Sequence, residues 1–179
     1  MVNFGCHMIS KSTIWLLCTL LFVNLASADE GMPPSKVKSI FLEYESINKE
    51  FLSSVGSSSE GFRRKKAEAY AEGDFEKALT ASVQIICKTE NTEIIHALFH
   101  VTHATLNSAS ESQAWTLGRA YVCKPEIVAK AFQSLSPSEQ AALYESLSFG
   151  FENTVYKRQD AVVTELREKL HALEPDAKK

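Results

Sequence analysis

Residues 87–139 read CKTENTEIIHALFHVTHATLNSASESQAWTLGRAYVCKPEIVAKAFQSLSPSE. Apolar residues recur here every three or four positions, and helix start signals follow one another at short intervals. Asn91 or Thr92 reads as the N-cap of a helix reaching about residue 106. Ser108 with Glu111 reads as a capping box opening a helix over 112–123. Pro125 fits the first turn of a helix ending near Ser134. Ser136-Pro137-Ser138-Glu139 combines an N-cap serine, proline at the first helical position and glutamate at the third, and opens a helix to about Tyr156. Gly150 marks a kink or break within it. No segment alternates apolar and polar residues with a period of two, so no strand is expected.

Upstream, Gly73-Asp74 reads as the end of one helix and the cap of the next, over 75–87, with Ala78, Leu79, Val83 and Ile86 inward. Residues 53–60 (SSVGSSSE) read as a flexible Ser-rich linker. Before it, Val37, Ile40, Phe41, Tyr44, Ile47 and Phe51 give residues 36–52 one apolar helical face. That helix is expected to pack as an arm across the linker, behind a disordered lead at 29–35. Downstream, a last helix covers about 158–173, ahead of Pro175, with Val162, Leu166, Leu170 and Leu173 inward. The expectation is an all-α domain over 61–174, a compact array or short solenoid of about seven antiparallel helices with one disulfide.

Residues 1–28 carry Lys11, then an apolar run from Thr13 to Leu25, then Ala26-Ser27-Ala28. A run of about 13 residues spans roughly 20 Å as a helix, short of a bilayer core of about 30 Å. The pattern is that of a secretory signal peptide cleaved after Ala28, which puts the mature chain in the periplasm or outside the cell. Of four cysteines, Cys87 and Cys123 remain after cleavage. In an oxidising compartment they form one structural disulfide; the alternative, a redox thiol pair, normally uses the tighter C-x-x-C spacing. Losing Lys11 from the 19 basic residues leaves 18 against 22 acidic ones, a formal charge of −4. Such a domain does not attract nucleic acid electrostatically, and no later run is long enough for stable membrane insertion.

The segment Ala69-Tyr70-Ala71-Glu72-Gly73-Asp74-Phe75-Glu76-Lys77-Ala78-Leu79 resembles the turn between the two helices of a tetratricopeptide repeat. The likeness spans 11 residues, and no second copy follows at that repeat's spacing of about 34. It reads as shared helix-hairpin chemistry, and no family is identified.

His96, His100 and His103 fall within about 60° on one helix, with Glu93 and Asn107 beside them. Ile94, Leu98, Val101 and Thr105 hold the opposite, inward face. Imidazoles four residues apart can chelate Zn²⁺ or Cu²⁺. His96 and His103 lie about 10.5 Å apart along the axis, so all three do not easily share one ion. The same stripe can serve as a pH sensor or be a solvated face. No other cofactor is implied. The pairs Glu93–His96 and Glu168–His171 have the Glu-x-x-His spacing of di-iron bundles, but both read as solvent-facing.

Arg63, Arg64, Lys65 and Lys66 form a basic run suited to an acidic partner, or a helix face balanced by Glu60, Glu68 and Glu72. In the helix after Pro137, Leu143, Leu147, Phe151 and Val155 share one face while Phe149 and Tyr156 point roughly the other way. Core burial of that pair fits best; a phase reset at Gly150 or a partner-facing aromatic pair are the alternatives. No G-x-S-x-G, H-E-x-x-H, C-x-x-C-H or phosphate-cradling glycine loop occurs. The expected function is an exported interaction domain that binds another protein, in the manner of an inhibitor or immunity protein. A metal-binding or pH-sensing envelope protein and a hydrolase built from scattered residues stand as alternatives. Oligomeric state is not set by the sequence.

Overall fold

A computed structural model describes residues 31–106 and 111–175. The expected export segment, Asn107 and the Ser108 cap lie outside the described residues. The helices are α1 (Pro34–Leu52), α2 (Glu60–Tyr70), a π-helical turn (Ala71–Phe75), α3 (Glu76–Thr89), α4 (Thr92–Ala104), α5 (Ser112–Cys123), α6 (Pro125–Gln133), α7 (Pro137–Thr154) and α8 (Ala161–His171). Because α2, the π turn and α3 run on without a break, the described residues form seven helical rods and no sheet. The described residues from Met32 onward form one compact unit.

Local chemistry sets most starts. The Asn91 side chain accepts the Ile94 N–H, and Ser136 with Glu139 closes a reciprocal capping box ahead of Pro137. Pro125 occupies the first turn of α6. Asp160, whose cap was not foreseen, accepts the Val163 N–H and starts α8 later than residue 158.

The first helix is part of the core, not an arm. Pro33 and Pro34 open it, and Val37, Ile40, Phe41 and Tyr44 are buried with residues of α3 and α4. The Ser-rich stretch after it folds into successive turns. Ser57 N–H donates to the Ser54 carbonyl, Gly56 N–H donates to the Glu60 carboxylate, and Ser54 is itself buried. Glycine suits position 56, where φ is +82°.

The stop expected at Gly73-Asp74 is a wide turn instead. Asp74 pairs with Lys77 at 3.7 Å rather than capping a new helix. An i→i+5 turn admits one extra residue and shifts the helical phase. Here Phe75 comes to lie 3.9 Å from the Tyr44 ring and 5.7 Å from the Phe41 ring, centroid to centroid, so α2 and α3 both face α1. Burial of Phe75 contributes about 2–3 kcal/mol.

Gly150 is not a break either. It lies inside α7, where that helix crosses α5 backbone to backbone: a Cβ on Gly150 would be 1.7 Å from the Ala114 carbonyl oxygen, and one on Gly118 2.0 Å from the Gly150 carbonyl carbon. Leu143, Leu147, Phe151 and Val155 are buried, as their shared face implied. In α8 the buried set is Val163, Leu166 and Leu170, whereas Val162 is exposed. The two valines compete for one inward direction, and the Asp160 cap sets α8 in the phase that buries Val163.

Cys87 and Cys123 are bonded, with 5.7 Å between their Cα atoms. The bridge ties the last turn of α3 to the end of α5 across the chain of α4. Beside it the Lys124 ammonium meets the Glu90 carboxylate at 2.7 Å, with Glu90 in the left-handed conformation that ends α3.

Candidate functional site

The α5–α7 crossing arranges the most distinctive exposed surface. Glycines at 118 and 150 let the helices touch, so residues flanking the contact are brought side by side. On α5, Trp115 and Arg119 are one turn apart and point away from the buried Leu117, Ala120 and Tyr121. On α7, Phe149, Asn153 and Tyr156 follow at four- and three-residue steps, one stripe of that helix and the turn after it. Trp115, Arg119, Asn153, Thr154 and Tyr156 line a groove of about 280 Å³. An adjoining groove of about 250 Å³ shares Trp115 and Arg119 and continues over Glu76, Thr80, Val83 and Gln84.

The rings on this face are open to solvent: Trp115 is 44% exposed, Phe149 43% and Tyr156 71%. Core burial of Phe149 and Tyr156 is therefore wrong. Leu147 and Phe151 already fill the inward face against α5, and the tight crossing leaves no space for a second layer. Tyr156 is held outward by the end of α7. Lys157 adopts φ of +62°, the Arg158 N–H donates to the Val155 carbonyl, and the Lys157 ammonium lies 4.9 Å from the Tyr156 ring centre. A left-handed residue other than glycine costs about 1–2 kcal/mol, which the turn absorbs.

Charge on this face is not cancelled. Arg63, Arg64, Arg158 and Arg167 each meet a carboxylate, whereas Arg119 has no carboxylate partner among the described residues. Asn153 donates to the Phe149 carbonyl at 2.9 Å and Thr154 to the Gly150 carbonyl at 2.8 Å. The groove thus offers two aromatic walls and an uncommitted guanidinium.

The histidine stripe is placed as its spacing implied, with His96, His100 and His103 exposed and Ile94, Leu98, Val101 and Thr105 buried. Its surroundings do not gather ligands. Glu93 pairs with Lys38 of α1 at 2.9 Å, which holds its carboxyl below the ordinary glutamate value, and His100 Nε2 sits 3.1 Å from the Glu45 carboxylate. No three His, Cys, Asp or Glu side chains among the described residues form a group able to hold a metal ion. The Glu168 and His171 side chains also face solvent.

The basic run at 63–66 packs along the end of α1. Arg63 and Lys66 both reach the Glu50 carboxylate at 3.5 Å, Arg64 pairs with Glu60, and the Arg64 guanidinium lies 5.7 Å from the Phe51 ring centre. Only Lys65 of the four has no carboxylate partner among the described residues, so the run is mostly spent on holding α2 to α1.

A wider groove, about 490 Å³, runs between α5, α6 and α8 over Tyr121, Ala129, Lys130 and Leu173. Its main charges cancel, because Lys169 bridges Glu126 at 2.7 Å and Glu165 at 3.1 Å. The Tyr121 phenol donates to the Leu166 carbonyl, and burial pushes its pKa up to about 12, so it acts as a fixed strut rather than an acid or base.

Trp115 and Arg119 did not emerge from the sequence as site residues. A helical wheel of 112–123 sets them together opposite Leu117 and Tyr121, which was the available signal. Comparison with family models, with curated proteins and with solved structures finds no match for this chain.

Proposed function

We propose that the chain is an exported interaction domain that binds another protein through the α5–α7 face, in the manner of an inhibitor or immunity protein. The observation carrying this reading is the exposure of Trp115, Phe149 and Tyr156 around Arg119 on two helices fixed by a backbone-to-backbone crossing. Tryptophan, tyrosine and arginine dominate binding energy at protein interfaces, since each combines large contact area with a polar handle. Holding them on a rigid crossing lowers the entropy lost on association. Export is supported by the pattern of residues 1–28 and fits the Cys87–Cys123 bridge, which persists in oxidising compartments.

The test compares capture by full-length protein and variants from the native compartment. Trp115→Ala and Tyr156→Ala are expected each to weaken retention of a specific partner at least tenfold, as losing a central interface aromatic does. Phe62→Ala, which removes another exposed ring away from this face, serves as the control. Equal retention by all three variants would refute the assignment of this face.

A further inference from the structure

We infer that the groove between Trp115 and Tyr156 receives an aspartate or glutamate side chain from a peptide segment of the partner, with an apolar residue beside it. This rests on the reading of the α5–α7 face as a protein-binding surface and adds the chemistry it selects.

Unspent cations face this groove. Every other arginine of the chain is tied to a carboxylate: Arg63 to Glu50, Arg64 to Glu60, Arg158 to Asp160 and Arg167 to Glu152. Arg119 is the exception among the described residues, and it lines both grooves of the face. Lys157, over the Tyr156 ring at the groove's rim, likewise meets no carboxylate among the described residues. A chain of net charge −3 therefore presents a local positive site.

The groove's own acceptors cannot neutralise it. No lining residue is acidic, and the Asn153 and Thr154 side chains, which carry no charge, are turned to the α7 backbone. Glu76 lies along the adjoining groove but forms no ion pair with Arg119. A guanidinium presents a planar fork that matches a carboxylate with two parallel hydrogen bonds. The Trp115 and Tyr156 rings stand on either side of that pairing. They also supply apolar walls for the residue next to the acid. A polyanion is the poorer fit. The negative charge of the chain opposes nucleic acid, and one guanidinium in about 280 Å³ matches one carboxylate.

The experiment uses full-length protein carrying Trp15→Phe, which makes Trp115 the only tryptophan of the chain and its emission a reporter of the groove. A random library of 12-residue peptides displayed on phage is selected against it, and the recovered sequences are synthesised and titrated. Selected peptides are expected to carry Asp or Glu beside Leu, Phe or Trp and to shift Trp115 emission. Affinity is expected to fall about tenfold or more on Arg119→Gln and on replacing the peptide's acid by its amide, and less on Arg119→Lys, which keeps charge without the fork. Circular dichroism of each variant verifies the fold.

Neutral peptides that shift Trp115 and ignore Arg119→Gln would overturn this inference while leaving the protein-binding face intact. Peptides that bind without moving Trp115 emission, or no selected peptide at all, would overturn both. A 12-nucleotide single strand that binds as tightly as the best peptide, with the same dependence on Arg119, would also overturn it.

Discussion

Replacing Gly150 with alanine tests the helix crossing on which the candidate face depends. The added Cβ would lie 1.7 Å from the Ala114 carbonyl oxygen and 2.5 Å from its carbon. Non-bonded heavy atoms rest about 3.5 Å apart, so α5 and α7 must separate by roughly 1.5–2 Å. Both obstacles are backbone, and neither can rotate aside. A gap of about 1 Å already forfeits up to half of each dispersion contact, and Leu117, Tyr121, Leu147 and Phe151 all pack across this crossing from fully buried positions. Overpacking costs about 1–3 kcal/mol where side chains can yield. A backbone clash belongs at or above the top of that range, about 3–4 kcal/mol. Alanine recovers about 1 kcal/mol of helix propensity relative to glycine. The net expectation is a loss of about 2–3 kcal/mol, or a Tm lower by roughly 4–12 °C in a domain of this size. Gly73→Ala is the matched control. Nothing lies within 4 Å of its added Cβ and its φ is not positive, so it should be neutral or up to about 1 kcal/mol stabilising. Urea unfolding followed by far-UV circular dichroism measures both. A Gly150→Ala protein as stable as the parent, beside a well-behaved Gly73→Ala, would refute the crossing.

Reducing the Cys87–Cys123 bridge frees a loop spanning a sequence separation of 36 and should cost about 3–4 kcal/mol on the chain-entropy estimate; a urea midpoint unchanged by dithiothreitol would contradict this. Acid should also destabilise the fold. Glu152 is held below its ordinary value of 4.5 by its hydrogen bonds from Arg167, Glu139 below the same value by the Ser136 hydroxyl and N–H, and Asp160 below its ordinary 3.8 by the Val163 N–H. A depressed carboxyl binds fewer protons folded than unfolded, so its stabilisation is complete above the ordinary value and is lost as pH falls through the folded one. Stability should therefore hold from pH 7 to about 5.5 and decline below about 4.5, with a shallower decline in Glu152→Gln. A flat profile down to pH 3 would contradict the assignment.

Much of the helical order was legible because its causes are local. Asn91, Pro125 and the Ser136–Glu139 box act within one turn of their own backbone, so their meaning does not depend on what lies across the core. The Cys87–Cys123 pairing needed only counting once export was assumed. Glycine was harder to read, because lack of a Cβ serves equally to end a helix and to let two helices touch. At Gly150 the second use holds, and only the presence of Gly118 opposite it shows why.

By itself, the sequence determined that the chain is helical, where most helices begin, and which residues could bond as a disulfide. Tertiary structure decided which of two apolar faces each helix buries. Leu147 and Phe149, or Val162 and Val163, are equally hydrophobic candidates until a neighbour occupies one side. It likewise decided that Phe75 joins Phe41 and Tyr44 through a π turn, and that Trp115, Arg119 and Tyr156 share one groove. The reason is physical: hydrogen bonds within a turn are set by adjacent residues, whereas burial is settled by atoms distant in the chain competing for the same volume.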